Sequence, residues 1–202
     1  MSTFLLAAGE ATRLGGSCKA MTLVGDRPMV DWWRDALGAA PTVICRSVDL
    51  PWIPIHIPAV TCDEGGGPAR ALSCALEFAR PAEPVTVIYA DTWLPALPDI
   101  TEFCAVAKAK GGRKWDIYDE GGYVTYEMLP AGEEAWACVG AYRFADPFRL
   151  RLAVDSALEE HGADGAEVGM GDVVNRYGVP FVPVKGWQDV GDHAAVARWR
   201  PL

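Results

Sequence analysis

The chain has 202 residues, 50% hydrophobic and 22% charged, with a formal net charge of −9. That length and balance fit one globular domain with its own core and exclude fibrous, collagen-like and disordered classes. A pI near 4.8 argues against non-specific nucleic-acid binding, which needs a basic face, although a few placed cations and a metal still make one site locally positive.

Residues 3–7, TFLLA, predict a short buried strand; this apolar run is too short for a signal sequence or a membrane span, so no membrane partner is expected. From Ala8 to about Asp26 the chain is rich in Gly, Ser and Thr and reads as a loop. Pro28 opens a helix, MVDWWRDAL, that ends near Gly38. TVIC (42–45) and IHI (55–57) read as weaker strands, and PARALSCALEFA (68–79) has helical spacing with Ala71, Leu72, Ala75, Leu76 and Ala79 on one face. VTVIYA (85–90), an apolar, β-branched run stopping at Asp91, is the clearest buried strand. ITEFCAVAKAK (100–110) reads as a helix, and Arg113 to Phe144 is β-rich. Residues 147–160 and 170–177 read as helices, FVPV (181–184) as a strand, and HAAVARW (193–199) as a last helix with Asp192 its N-cap.

Strands alternating with helices predict a mostly parallel sheet covered on both faces, and the β-rich middle adds an antiparallel patch. Residues 1–202 read as a single domain without repeats or a long linker. Ligands of such sheets bind beyond the carboxyl ends of the strands, where the opening loop and Asp91 both fall. The six cysteines form no C-x-x-C pair and the three histidines are too few to complete a zinc site, so the thiols read as reduced, in a cytoplasmic protein.

Four stretches carry polar chemistry, each with a plainer alternative. The opening loop, LLAAGEATRLGGSCK (5–19), combines Gly9 with Arg13 and Lys19 and suits phosphate oxygens; as a solvated loop it would hold ordinary surface cations. Asp91 ends a hydrophobic strand, where a carboxylate holds Mg²⁺ or caps a turn. Asp189, in GWQDVGD (186–192), is free to be a ligand because Asp192 takes the capping role; otherwise it satisfies local donors. The glycines of DEGGGPARAL (63–72) let the backbone approach a flat or charged ligand, or form a flexible turn closed by Pro68.

In chain order these pieces resemble the sugar-1-phosphate nucleotidyltransferases, or nucleotide-sugar pyrophosphorylases. The family signature, roughly L-A-x-G-x-G-T-R-L and then P-K, is matched by Leu6-Ala7-Ala8-Gly9-Glu10-Ala11-Thr12-Arg13-Leu14 and Cys18-Lys19, and its G-x-P-M-[IV] by Gly25 to Val30. The base-binding G-T-A-x-A segment resembles Gly66-Gly67-Pro68-Ala69-Arg70-Ala71, G-[IL]-Y-x-F resembles Gly140 to Phe144, and W-x-D-[IV]-G-[TD] resembles Trp187 to Asp192. Ala11 replaces the second glycine and Cys18 the proline; Met128, in Tyr126-Glu127-Met128-Leu129-Pro130, stands where E-K-P has a lysine on the sugar phosphate, with Lys114, Lys185 and Arg143 as candidate replacements.

The resemblance implies a Rossmann-like nucleotide-diphospho-sugar transferase fold and Mg²⁺-dependent joining of a nucleoside triphosphate to a sugar-1-phosphate, with pyrophosphate leaving. It assigns Arg13 and Lys19 to catalysis on the phosphates, Leu6 to Thr12 with Gly66, Gly67 and Ala71 to the nucleotide, Glu127, Gly140, Tyr142 and Lys185 to the acceptor, and Asp91 with Asp189 to the metal. The two aspartates can share an ion only if their strand ends meet at one crevice. Rival readings are a cytidylyltransferase acting on a phosphate such as phosphocholine, a molybdenum-cofactor nucleotidyltransferase, and a non-catalytic nucleotide- or sugar-binding regulator; a glycosyltransferase would need a second carboxylate beside Asp91. Oligomeric state stays open, a homodimer being compatible.

Overall fold

The computed structural model describes residues 1–9, 18–63, 65–119, 121–161 and 166–199. In chain order the strands are β1 (Ser2–Leu6), β2 (Leu23–Val24), β3 (Arg27–Pro28), β4 (Thr42–Cys45), β5 (Ala59–Thr61), β6 (Val85–Tyr89), β7 (Thr92–Trp93), β8 (Phe103–Lys110), β9 (Arg113–Tyr118), β10 (Val124–Leu129), β11 (Glu134–Phe144), β12 (Phe181–Pro183) and β13 (Gln188–Asp189). The helices are α1 (Met29–Leu37), α2 (Gly67–Leu76), α3 (Pro147–His161), α4 (Met170–Tyr177) and α5 (His193–Arg198).

Nine strands form one mixed sheet, in which β5, β4, β1 and β6 run parallel and β11 pairs antiparallel with β6. The far edge carries the β9–β10 hairpin, and β8 pairs with β11 and with β12. β11 serves three neighbours because its register shifts between Cys138 and Tyr142, around Gly140, whose φ is +77°. A Cβ there would lie 2.8 Å from the Tyr89 ring and 2.9 Å from Thr92 Oγ1, so this crossing of strands needs glycine.

The period of two sorts the core into two layers. Phe4 and Leu6 of β1, Ile44 of β4 and Val85 and Val87 of β6 pack beneath α2, α3 and α4, with Leu72, Leu150, Val174 and Tyr177. Leu5, Val43, Cys45 and Ile88 point the other way, into a layer with Trp33 of α1 and Trp199. Trp32, Trp33, Trp93 and Trp199 pack there with ring centroids 4.6–5.9 Å apart. Helices thus cover both faces, as expected.

Three sequence expectations need correction. Residues 100–110 are not a helix, since Phe103 to Lys110 is strand β8. Phe103, Ala105 and Ala107 enter one core layer and Cys104 and Val106 the other, so the run is apolar on both faces and its alanines mimic helical spacing. IHI is a turn between Pro54 and Pro58, closed by Ile57 N–H donating to Pro54 O at 2.8 Å; pairing starts at Pro58, whose carbonyl accepts from Val43 N–H, and the strand follows as β5. The cysteines are not all reduced: Cys62, just after β5, is bonded to Cys74 of α2, with Cα atoms 6.1 Å apart, whereas Cys18, Cys45, Cys104 and Cys138 are free and buried. Among the described residues no helix is long and apolar enough to cross a membrane.

Candidate functional site

β1 and β6 are adjacent parallel strands, so their carboxyl ends emerge together, and the ladder continues past them through Ala90 N–H to Leu6 O at 3.0 Å. Gly9 and Asp91 therefore open the same crevice. Lys19, at the start of a 3₁₀ turn over 19–21, returns to this point and sets its Nζ 3.3 Å from Asp91 Oδ2, each side chain being 19% exposed. Gly9 lies beneath that ammonium, where a Cβ would sit 3.5 Å from Lys19 Nζ.

One wall is the glycine segment. Gly66 and Gly67 have φ of +111° and +82°, and a Cβ on Gly67 would meet Val168 O at 3.0 Å. Their tight path lets Val168 N–H donate to Gly66 O at 2.9 Å and Ala69 N–H donate to Val168 O at 3.1 Å, locking the start of α2 to the segment before α4. Leu6, Ala8, Gly9, Lys19, Gly66, Gly67, Ala71, Asp91, Glu167 and Asp172 are among the residues lining a cavity of about 710 Å³.

A second cavity, about 330 Å³, shares Tyr89, Asp91, Asp116 and Tyr126 with the first, and adds Arg113, Lys114, Trp115, Trp187, Gly140 and Asp189. Asp189 arrives there because β13 pairs with β7: Asp189 stands opposite Thr92, and Val190 N–H donates to Asp91 O at 2.9 Å. The strand ends bearing the two aspartates, about a hundred residues apart in sequence, do meet at one crevice. Asp189 Oδ1 accepts from Gly191 N–H at 2.8 Å, and Oδ2 pairs with Arg113, whose guanidinium lies 3.7 Å over the Trp115 ring. Both carboxylates are thus neutralised by a cation, Asp91 by Lys19 and Asp189 by Arg113.

Asp116, on β9 at the junction of the cavities, is the chemically distinct acid. Burial pushes its carboxyl up to about 6, the charge of Asp172 adds to this, and the Gly171 N–H hydrogen bond opposes it. A Cβ on Gly171 would lie 2.9 Å from Val124 Cγ1 and 3.2 Å from Asp116 Oδ1, so glycine lets α4 close on the hairpin. Burial likewise raises the Tyr89 phenol, keeping it neutral.

Several expected residues fall elsewhere. Glu10, Ala11, Thr12 and Arg13 lie outside the described residues. Ala7 is buried and lines neither cavity. Tyr142 is 1% exposed, packed between Tyr89 and Phe144 in the core, because its side chain points to the helix-covered face of β11. Glu127 and Lys185 are exposed and border neither cavity; Glu127 accepts instead from Thr125 Oγ1 at 3.0 Å. Arg143 donates to the Pro98 and Ile100 carbonyls, away from the crevice. Sequence reasoning missed Arg113, Asp116 and Tyr126, although an aspartate inside the strand run K-W-D-I-Y is itself a signal, since Asp is depleted in strands.

Residues 3–144 match the family described as the MobA-like NTP transferase domain, which is more than half of the chain. The chain belongs to the MobA-like NTP transferase family. A molybdenum cofactor guanylyltransferase of Cereibacter sphaeroides is 29% identical over 121 residues, covering 54% of this chain and 62% of that protein. The chain thus spans less than two thirds of that relative. A CTP:phosphocholine cytidylyltransferase from Streptococcus pneumoniae has the same fold, with a TM-score of 0.71 at 14% identity over 98% of this chain and 96% of that one. A nucleoside-diphosphate-sugar pyrophosphorylase from Vibrio cholerae gives 0.69 at 15% identity, covering 98% of each chain. The MobA-like match ends at β11, so α3, α4, β13 and α5, with Asp189 and the Glu167–Asp172 wall, follow the matched stretch.

Proposed function

We propose that this MobA-like NTP transferase joins a nucleoside triphosphate to a sugar-1-phosphate, releasing pyrophosphate. The observation that carries the reading is the meeting of Asp91 and Asp189 at a crevice made of a larger glycine-walled cavity and a smaller aromatic-walled one. The larger suits the nucleotide: Gly9, Gly66 and Gly67 offer backbone at close range, and Lys19 offers a cation for its phosphates, a task the resemblance also assigns to Arg13. The smaller suits a sugar, with Trp115, Trp187 and Tyr126 as apolar walls and Asp116 as an acceptor for hydroxyls.

An acceptor-phosphate oxygen attacks the α-phosphorus, the bond from that phosphorus to the bridging oxygen breaks, and pyrophosphate leaves with the bond electrons. No protein nucleophile is needed; the chain's work is positioning and charge stabilisation. Asp91 and Asp189 are a fitting donor pair for Mg²⁺, which takes one or two carboxylates and completes its shell with substrate oxygens and water. A metal held by them would supply Lewis-acid stabilisation of phosphate charge. Lys19 and Arg113, beside these carboxylates, are the cations placed nearest the phosphate oxygens. A nucleoside-triphosphate substrate goes with a cytoplasmic location.

Pyrophosphate release, measured for a panel of nucleoside triphosphates against sugar-1-phosphates, phosphocholine and the molybdenum cofactor, tests the reading. Release with a sugar-1-phosphate supports it. Release only with phosphocholine or only with the cofactor replaces the acceptor and keeps the transferase. Nucleotide binding with no release in any pair points to a regulator.

A further inference from the structure

We propose that the Cys62–Cys74 bridge is a redox latch on the larger cavity. Closed, it holds the glycine wall in the shape a nucleoside triphosphate needs; reduction by a dithiol lets that wall relax. The inference rests on the proposed transferase reading and adds control of its nucleotide site. The two cysteines are 12 residues apart, and Gly65, Gly66, Gly67, Pro68 and Ala71, all lining the larger cavity, lie between them. The bridge therefore closes a loop that is itself a wall of the site.

That wall needs support from outside itself. Consecutive glycines leave the backbone many conformations, and a Cβ on Gly65 would meet nothing within 4 Å. One anchor is the backbone pairing of Gly66 and Ala69 with Val168. The other is the bridge. Upstream of the glycines, β5 is a three-residue edge strand paired only with β4, and its ladder ends where Cys62 N–H donates to Cys45 O at 2.8 Å. Downstream, α2 sits on the core through Ala69, Leu72 and Ala75. The bridge fixes the spacing between that edge and that helix, which the glycine segment spans. Cys74 is half-buried and Cys62 buried, so a reducing thiolate reaches the bridge from the Cys74 side. It attacks Cys74 Sγ, the S–S bond breaks, and Cys62 leaves with the bond electrons and takes up a proton. The second thiolate of the dithiol then frees Cys74 and closes the reductant's own disulfide. In a reducing compartment such bridges are chiefly transient and redox-sensing, which is the use this placement serves.

The test compares the oxidised chain with the chain reduced by dithiothreitol, both at a temperature where circular dichroism shows the reduced form folded. Calorimetry with ATP, CTP, GTP, UTP and dTTP should find the preferred nucleotide bound about 10-fold more weakly after reduction, while the KM for the acceptor stays within about 2-fold, because only the nucleotide wall has lost its preorganisation. Re-oxidation should restore the affinity. The double variant Cys62→Ser with Cys74→Ser should bind like the reduced wild type and ignore the dithiol, which separates this bridge from the four free cysteines. Amide exchange reads the latch without any ligand. The Ala69 and Val168 amides, which tie the wall to the segment before α4, should exchange faster on reduction, and those of β6 should not. Equal nucleotide affinity in the two redox states, a dithiol effect that persists in the serine variant, or unchanged exchange at Ala69 and Val168 overturns the latch. Absence of nucleotide binding in both states sinks the transferase reading, and the exchange arm then decides on the latch by itself.

Discussion

Asp116 combines a structural burden with the hydroxyl-accepting role proposed for it. Its carboxyl is pushed up to about 6 by burial, against 3.8 for an ordinary aspartate. The folded state therefore binds this proton more tightly than the unfolded chain, so the contribution to stability is complete below about pH 4 and is lost as pH rises to about 6. Asp116→Asn should flatten that part of the stability profile and gain about 1–2 kcal/mol at pH 7, the full shift being discounted because the carboxyl is partly exposed where it lines the two cavities. Urea unfolding at pH 4 and pH 7 checks this, with a poorer acceptor KM expected in the same variant. Equal pH slopes in the two proteins would contradict it. No residue pattern predicts such a shift, which depends on Gly171 and Asp172 arriving from α4; the sequence shows only an aspartate in an otherwise strand-like run.

At the level of elements, the β9–β10 hairpin lines one side of the smaller cavity, and its outer strand β10 is an edge. Edge strands carry unpaired backbone groups, and here α4 satisfies two of them. Asn175 Oδ1 accepts from Val124 N–H at 2.8 Å and its Nδ2 donates to Val124 O at 2.8 Å, so the side chain stands in for a missing strand. Asn175→Ala should cost about 1–3 kcal/mol and speed amide exchange across the hairpin. Unaltered exchange there would mean the hairpin is held by its own ladder. Local signals made some elements easy to read. α1 lies between Pro28 and Gly38, the latter left-handed at φ +71°, and α5 starts where Asp192 Oδ1 accepts from Ala195 N–H at 2.7 Å. β8 mimics a helix in sequence because a strand apolar on both faces lacks alternation, and the two-residue pair β7–β13 carries no strand periodicity.

Across the whole molecule, chemistry and topology were legible to different depths. Asp91 could be read from the strand it ends, and the layered sheet from alternating elements. The Arg113–Asp189 pair and the fusion of two cavities at Asp116 and Tyr126 exist only after residues far apart in sequence are folded together. The cysteines show the same limit, since Cys62 and Cys74 are matched by the packing of β5 against α2 and not by spacing. Thiol titration of the unfolded, unreduced chain should find four free thiols, and reduction should lower stability by about 2–3 kcal/mol for a loop this short. Six thiols would contradict the bridge.

The account turns on Asp91 and Asp189 acting as one unit at the crevice, and pyrophosphate release by Asp91→Asn, Asp189→Asn and the double variant tests this most directly. Each single change should lower turnover by a factor on the order of 10²–10³, and the double variant should be little worse than either, because groups that act together are not additive. Near-normal turnover in Asp189→Asn, or losses that multiply in the double variant, would show that the two carboxylates do not share one task.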